Sequence, residues 1–155
     1  EFFSRSPDQT RRIGMRLGSY LQKGDLILLN GDLGAGKTTL TQGIAKGWGS
    51  TMSVTSPTFV LVNEYYRPDN TTLYHLDAYR LGGAPEAEDL DIEYMISKGS
   101  LVVEWADRIK EALPEEYIEV SLRWISDEQR GLVITSSGQR YEHILKGFRQ
   151  KAFGG

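Results

Sequence analysis

Gly31-Asp32-Leu33-Gly34-Ala35-Gly36-Lys37-Thr38 satisfies the pattern G-x-x-x-x-G-K-[ST], and Thr39 and Leu40 continue it. Its flanks decide how it is read. Leu26-Ile27-Leu28-Leu29 precedes it as a short apolar run of the kind a strand buried on both faces shows. Lys37 to Lys46 follows with helical character, ended by Gly47 and Gly49. A strand, a glycine-rich turn and a helix N-terminus together aim backbone N–H groups and the positive end of the helix dipole at one point, where a β-phosphate can sit. Gly31, Gly34 and Gly36 let the backbone turn and approach a phosphate with no Cβ in the way. Lys37 would then reach the β- and γ-phosphates, and the Thr38 hydroxyl would ligate Mg2+. The stretch is expected to hold a nucleoside triphosphate.

At 155 residues the chain suits one domain, residues 1–155, with a core that needs no staples. There is no cysteine, hence no disulfide and no thiolate metal site. The net charge of −3 gives no general attraction to nucleic acid, although a local basic patch is compatible with it. No apolar run reaches the length of a membrane span and no signal peptide precedes the first helix, so a cytoplasmic protein is expected. Glu1 and Phe2, with no initiating Met, look like an artificial start, and residues 1–3 are expected to lie outside the fold.

Working outward from the loop, Ser6-Pro7-Asp8-Gln9 opens a helix, with Ser6 as N-cap, Pro7 in the first turn and Gln9 closing a capping box. Ile13, Leu17, Tyr20 and Leu21 share its inward face, and Lys23-Gly24-Asp25 ends it. Leu40, Ile44, Ala45 and Trp48 form the inward stripe of the helix after the loop. Residues 59–66 and Thr72 to Asp77 read as an antiparallel hairpin across Arg67-Pro68-Asp69-Asn70. A polar, acidic stretch from Leu81 to Asp91 reads as a solvated face. Leu101 to Trp105 is a second buried strand, Ile118 to Trp124 and Leu132 to Thr135 form a hairpin across Ser126 to Arg130, and Tyr141, Ile144, Leu145 and Phe148 mark a closing helix. The fold class is α/β, a P-loop NTPase fold with a central mixed, mostly parallel sheet flanked by helices.

A phosphate loop needs an acidic partner for Mg2+ at the C-terminal end of a neighbouring strand. Asp77 ends one strand and Glu104 another. His75 reads as a satisfied structural histidine whose side chain points opposite to Tyr74 and Leu76. Trp105 lies against the nucleotide or fills the core; both readings stay open. No Asn-Lys-x-Asp guanine reader occurs, so ATP is favoured over GTP.

The loop, Ser56-Pro57-Thr58-Phe59, Tyr74-His75-Leu76-Asp77-Ala78-Tyr79-Arg80-Leu81 and Val103-Glu104-Trp105, in this order, resemble the bacterial TsaE (YjeE) family, a small ATPase of tRNA threonylcarbamoyladenosine synthesis. The resemblance implies ATP and Mg2+ as cofactors. It implies nucleotide binding by Gly31, Asp32, Leu33, Gly34, Ala35, Gly36, Lys37, Thr38, Thr39 and Arg130, metal binding by Thr38 and Glu104, and a catalytic set of Lys37, Asp77 and Glu104. Thr55 to Thr58 resembles the family's mobile switch segment. Family members act with TsaD and TsaB, which attach a threonylcarbamoyl group to adenosine 37 of tRNAs reading ANN codons, so tRNA is an indirect partner and a membrane is not one. The alternatives are a small-molecule kinase on the same fold and a nucleotide sensor that does not hydrolyse. The basic cluster Arg140, Lys146, Arg149 and Lys151 reads as a solvated face before a tRNA contact.

Overall fold

In the computed structural model, residues 1–32, 34–51, 62–79 and 91–153 are described, with side chains through Gln150. The elements in order are β1 (Phe2–Ser4), α1 (Pro7–Tyr20), β2 (Leu26–Asn30), α2 (Lys37–Trp48), β3 (Val62–Tyr66), β4 (Thr72–Asp77), α3 (Ile92–Lys98), β5 (Gly99–Glu104), β6 (Tyr117–Trp124), β7 (Arg130–Ser137) and α4 (Gln139–Phe153), with two short 3-10 turns between β5 and β6. One seven-stranded sheet has the order β1-β7-β6-β2-β5-β4-β3. Its four central strands, β6, β2, β5 and β4, run parallel, while β3, β7 and β1 join antiparallel at the two edges. The sheet is mixed with a parallel centre, as expected for an α/β chain of this kind.

The centre is apolar on both faces because β2 and β5 carry side chains to both. Ile27, Leu29, Leu73, Val102 and Val120 meet Leu17, Leu40, Ile44 and Phe148 from α1, α2 and α4. Leu28, Tyr74, Leu76 and Val103 meet Ile92 and Met95 of α3 and Ile109 on the opposite face. Burying a Leu or Ile this completely stabilises the fold by roughly 1.5–3 kcal/mol each. The closing helix presents Tyr141, Ile144, Leu145 and Phe148 inward, as its spacing predicts. Tyr141 Oη accepts from Leu26 N at 3.0 Å, and Arg140 donates to both oxygens of buried Asp25 at 2.6 Å, which fixes the entry to β2. Arg140 is thus tied to Asp25 while its side chain stays 43% exposed, so it remains at the solvated surface with one end engaged.

Four local expectations are revised. Residues 1–3 do not lie outside the fold: Phe2–Ser4 pairs with β7, and the Phe2 ring sits edge-on to Phe148 with centroids 5.3 Å apart. The capping box is shifted. Ser6 Oγ accepts from Gln9 N at 3.2 Å as expected, but Gln9 Oε1 accepts from Arg5 N at 2.7 Å instead of Ser6 N. The helix after the loop runs through Gly47 to Trp48, and left-handed Gly49 ends it by donating to Ala45 O and Lys46 O. Gly47 stays helical because α1 leaves room for nothing larger: a Cβ there would lie 2.0 Å from Met15 O, and one on Gly18 would lie 2.0 Å from Ile44 O. Finally, α3 begins right after the polar stretch, with Asp91 Oδ1 accepting from Tyr94 N at 3.2 Å.

Candidate functional site

The four parallel strands present their C-terminal ends on the side where β2 releases the chain at Asn30. Gly31, Gly34 and Gly36 all have positive φ, 150°, 81° and 102°. Gly36 is the N-cap of α2 in the left-handed region, so the glycine supplies the turn and no side chain of its own caps the helix. The first turn of α2 opens onto a cavity of about 360 Å3 bounded by Gly34, Gly36, Lys37, Thr38, Thr39, Asp77, Glu104, Trp105 and Arg130. A helix N-terminus facing a cavity favours an anion there. The expected residues Gly31, Asp32 and Ala35 do not border it: Gly31 shapes the turn, Asp32 acts on the site through its charge, and the Ala35 methyl is buried in the core. Leu33, Thr55 to Thr58 and Arg80 lie outside the described residues, as does the acidic stretch up to Leu90.

Lys37 is the buried cation of the cavity, 6% exposed. Its Nζ donates to Gly31 O and lies 3.8 Å from the centroid of the Trp105 ring. Burial pushes the ammonium below its ordinary pKa, while the charges of Glu104, Asp77 and Asp32 pull it back up. The Lys37 ammonium thus feels three carboxylates, a negative surrounding that favours a divalent cation beside them.

Register brings the carboxylates together. Asp77 at the end of β4 is opposite Glu104 at the end of β5, and Glu104 is opposite Leu29, two residues before the loop. Asp77 Oδ1 accepts from Tyr79 N at 2.9 Å, so it caps the following turn and borders the cavity as well. Glu104 is 5% exposed, and its Oε2 is 2.6 Å from Nε2 of His75, which is wholly buried. The His75 side chain does point opposite to Tyr74 and Leu76, but its partner is the strand-end carboxylate. Pleat alternation puts His75 on the face of Asp77, two residues on, but the contact with Glu104 needs β5 as the neighbouring strand.

Trp105 lines the cavity and also packs against the second core cluster. Its backbone is left-handed, φ 57°, a conformation that a bulky residue adopts only under constraint from its surroundings. Tyr79 packs against it with centroids 4.9 Å apart, and the Arg108 guanidinium lies 5.1 Å from the Tyr79 ring. Arg130 does come to the loop. Its guanidinium donates to Gly34 O at 3.1 Å and to Ser126 O, Asp127 O and Gln129 O, while its buried Nε, close to Gly36, has no partner among the described residues.

These features fit Mg2+ with a nucleotide. Among the described residues, no group of three or more His, Cys, Asp or Glu side chains could hold a metal alone. Mg2+ is bound through one or two carboxylates together with substrate phosphates and water, and the hydroxyl and carboxylates here are the oxygen donors it prefers.

The chain matches the family described as "Threonylcarbamoyl adenosine biosynthesis protein TsaE" over residues 4–132. It belongs to the TsaE family. It is 41% identical to the tRNA threonylcarbamoyladenosine biosynthesis protein TsaE of Bacillus subtilis over 142 residues, which is 91% of this chain and 88% of that protein. The protein of the same name from Streptomyces coelicolor is 43% identical over 137 residues, 84% of this chain and 93% of that one. The crystal structure of Bacillus subtilis YdiB superposes with a TM-score of 0.78 at 33% identity, covering 97% of this chain and 94% of the other. Family and fold therefore agree with the resemblance carried by the loop and the two strand-end motifs.

Proposed function

We propose that this chain is a Mg2+-dependent ATPase of the cytoplasm that serves formation of the threonylcarbamoyl group on adenosine 37 of ANN-decoding tRNAs, working as a subunit bound to TsaD and TsaB. Family membership supports the process. The observation that carries the activity is the convergence of Lys37, Thr38, Asp77, Glu104 and Arg130 on one cavity at the mouth of the glycine loop. In this reading the amides of Gly34 to Thr39 and the Lys37 ammonium bind the phosphates. Thr38 and Glu104 hold the cation, which when bound neutralises charge on the β- and γ-phosphates. Asp77 orients the attacking water, and Arg130 braces the loop from the β6–β7 turn through Gly34 O. Trp105, with Tyr79 packed against it, closes one wall of the cavity.

Among the described residues, no helix is long and apolar enough to cross a membrane. The test is a single-turnover assay of the isolated chain with Mg2+ and ATP. Tight binding followed by slow release of inorganic phosphate is expected. Transfer of the phosphoryl group to a small-molecule acceptor would replace this reading with a kinase, and binding with no turnover even beside TsaD and TsaB would replace it with a sensor.

A further inference from the structure

Glu104 reaches the cavity as a nearly buried carboxylate, and only one of its oxygens is engaged by His75. His75 sits on β4 in register with Val102, one pleat behind Asp77, and reaches diagonally to Glu104 across the β4–β5 pair. Its ring is completely buried, tilted against Tyr65 with centroids 6.4 Å apart, and its Nδ1 is buried without a partner among the described residues. That arrangement selects one tautomer. A carboxylate accepting at Nε2 requires the hydrogen to be on Nε2, and Nδ1 faces no acceptor among the described residues. A leucine would fill such an apolar place without leaving a buried nitrogen unsatisfied. What the histidine adds is the short N–H···O bond to the strand-end carboxylate.

We propose that His75 is a positioning residue for the cation site: it fixes the rotamer of Glu104 through Oε2 and leaves Oε1 directed to the metal. This rests on the reading that Glu104 ligates Mg2+, and it extends that site by a residue behind the ligand, where a hydrogen bond orients a ligating carboxylate.

The test is the gain in ATP affinity that Mg2+ confers, measured by calorimetry in excess Mg2+ and in excess EDTA. The proteins are the wild type, Glu104→Ala, His75→Asn and His75→Gln. A glutamine amide places its nitrogen where Nε2 stands; an asparagine amide stops at the Nδ1 position. Glu104→Ala should abolish most of the gain. His75→Asn should lower it about tenfold, the loss of one charge-assisted hydrogen bond, with EDTA affinity moving less than about twofold. His75→Gln should restore it to within about threefold of wild type. A full gain in His75→Asn, or equal losses in Asn and Gln, would overturn the positioning role while leaving Glu104 as ligand. A full gain in Glu104→Ala would remove the ligand reading and this proposal with it. Nitrogen NMR of the wild-type protein gives a check that needs no variant to fold. The His75 ring, one of two histidines, should show a protonated Nε2 and a bare Nδ1, and the reverse tautomer would overturn the proposal.

Discussion

Lys37 is where the charge balance of the site turns, since three carboxylates and the cost of burial act on one ammonium. Lys37→Ala should leave a folded protein, because the side chain touches a carbonyl and a ring at the cavity and is not part of either core cluster. Its ATP affinity should fall at least about tenfold, since a hydrogen bond to a charged group contributes roughly 1.5–3 kcal/mol. Unchanged binding by calorimetry would remove the phosphate-loop assignment. Glu104 and Asp77 should be separable. Glu104→Ala should weaken Mg2+-dependent binding of ATP, whereas Asp77→Asn should bind nearly normally and hydrolyse more slowly. The opposite pattern, read from calorimetry and phosphate release on the same preparations, would exchange their roles. At this scale much of the cavity lining was legible, because a glycine loop and strand-end acids announce themselves by spacing. The His75–Glu104 contact was not. It depends on which strands become neighbours and in what register, and the order β2-β5-β4 emerges only when the sheet assembles.

The elements that carry the loop are held by a seam of glycines. α1 and α2 approach so closely that a Cβ on Gly43 would lie 2.1 Å from Arg11 O, and one on Gly14 would lie 2.4 Å from Leu40 O. Those obstacles are backbone atoms, so they yield only if the helices move apart. Gly43→Ala should therefore destabilise the protein by about 1–3 kcal/mol, as overpacking does, read as a lower midpoint in urea. Gly147→Ala in α4 is the contrast: the nearest atoms to its Cβ would be those of the Tyr20 side chain, Oη at 3.4 Å and two ring carbons at 3.6 and 3.7 Å. There alanine's helix propensity should leave stability unchanged or raise it by up to about 1 kcal/mol. Equal effects of the two substitutions would contradict the seam. From sequence, Gly47 looks like a helix stop because an isolated glycine weakens a helix locally, and only the neighbouring helix shows why it is kept. β1 and α3 escaped the sequence reading for a related reason. Three residues at a chain end and seven residues after an acidic run carry too little periodicity, although Asp91 before Ile92, Met95 and Ile96 was a usable cap signal.

For the molecule as a whole, the proposed hydrolysis calls for a cation that stabilises the transition state. Among the described residues, Arg130 is the arginine at the cavity, and its guanidinium is committed to carbonyls of Gly34, Ser126, Asp127 and Gln129. Arg108 lies over the Tyr79 ring, which packs against Trp105, and does not border the cavity. An arginine finger is worth about 10³–10⁵ in rate to a phosphate-loop enzyme, and a chain that binds the phosphates with a lysine and loop amides gains affinity without that acceleration. The global features of the sequence, its length, its net charge of −3 and its lack of cysteine, bounded the class of molecule and were silent on the proposed role of a partner, because a group supplied by another chain would leave no spacing in this one. The most direct measurement is steady-state phosphate release from Mg2+-ATP by the isolated chain and by the same chain with the TsaD–TsaB pair added. Slow release alone and a large acceleration by the pair, lost again in Lys37→Ala, is the expected result. Fast hydrolysis by the isolated chain, unaltered by the pair, would contradict it.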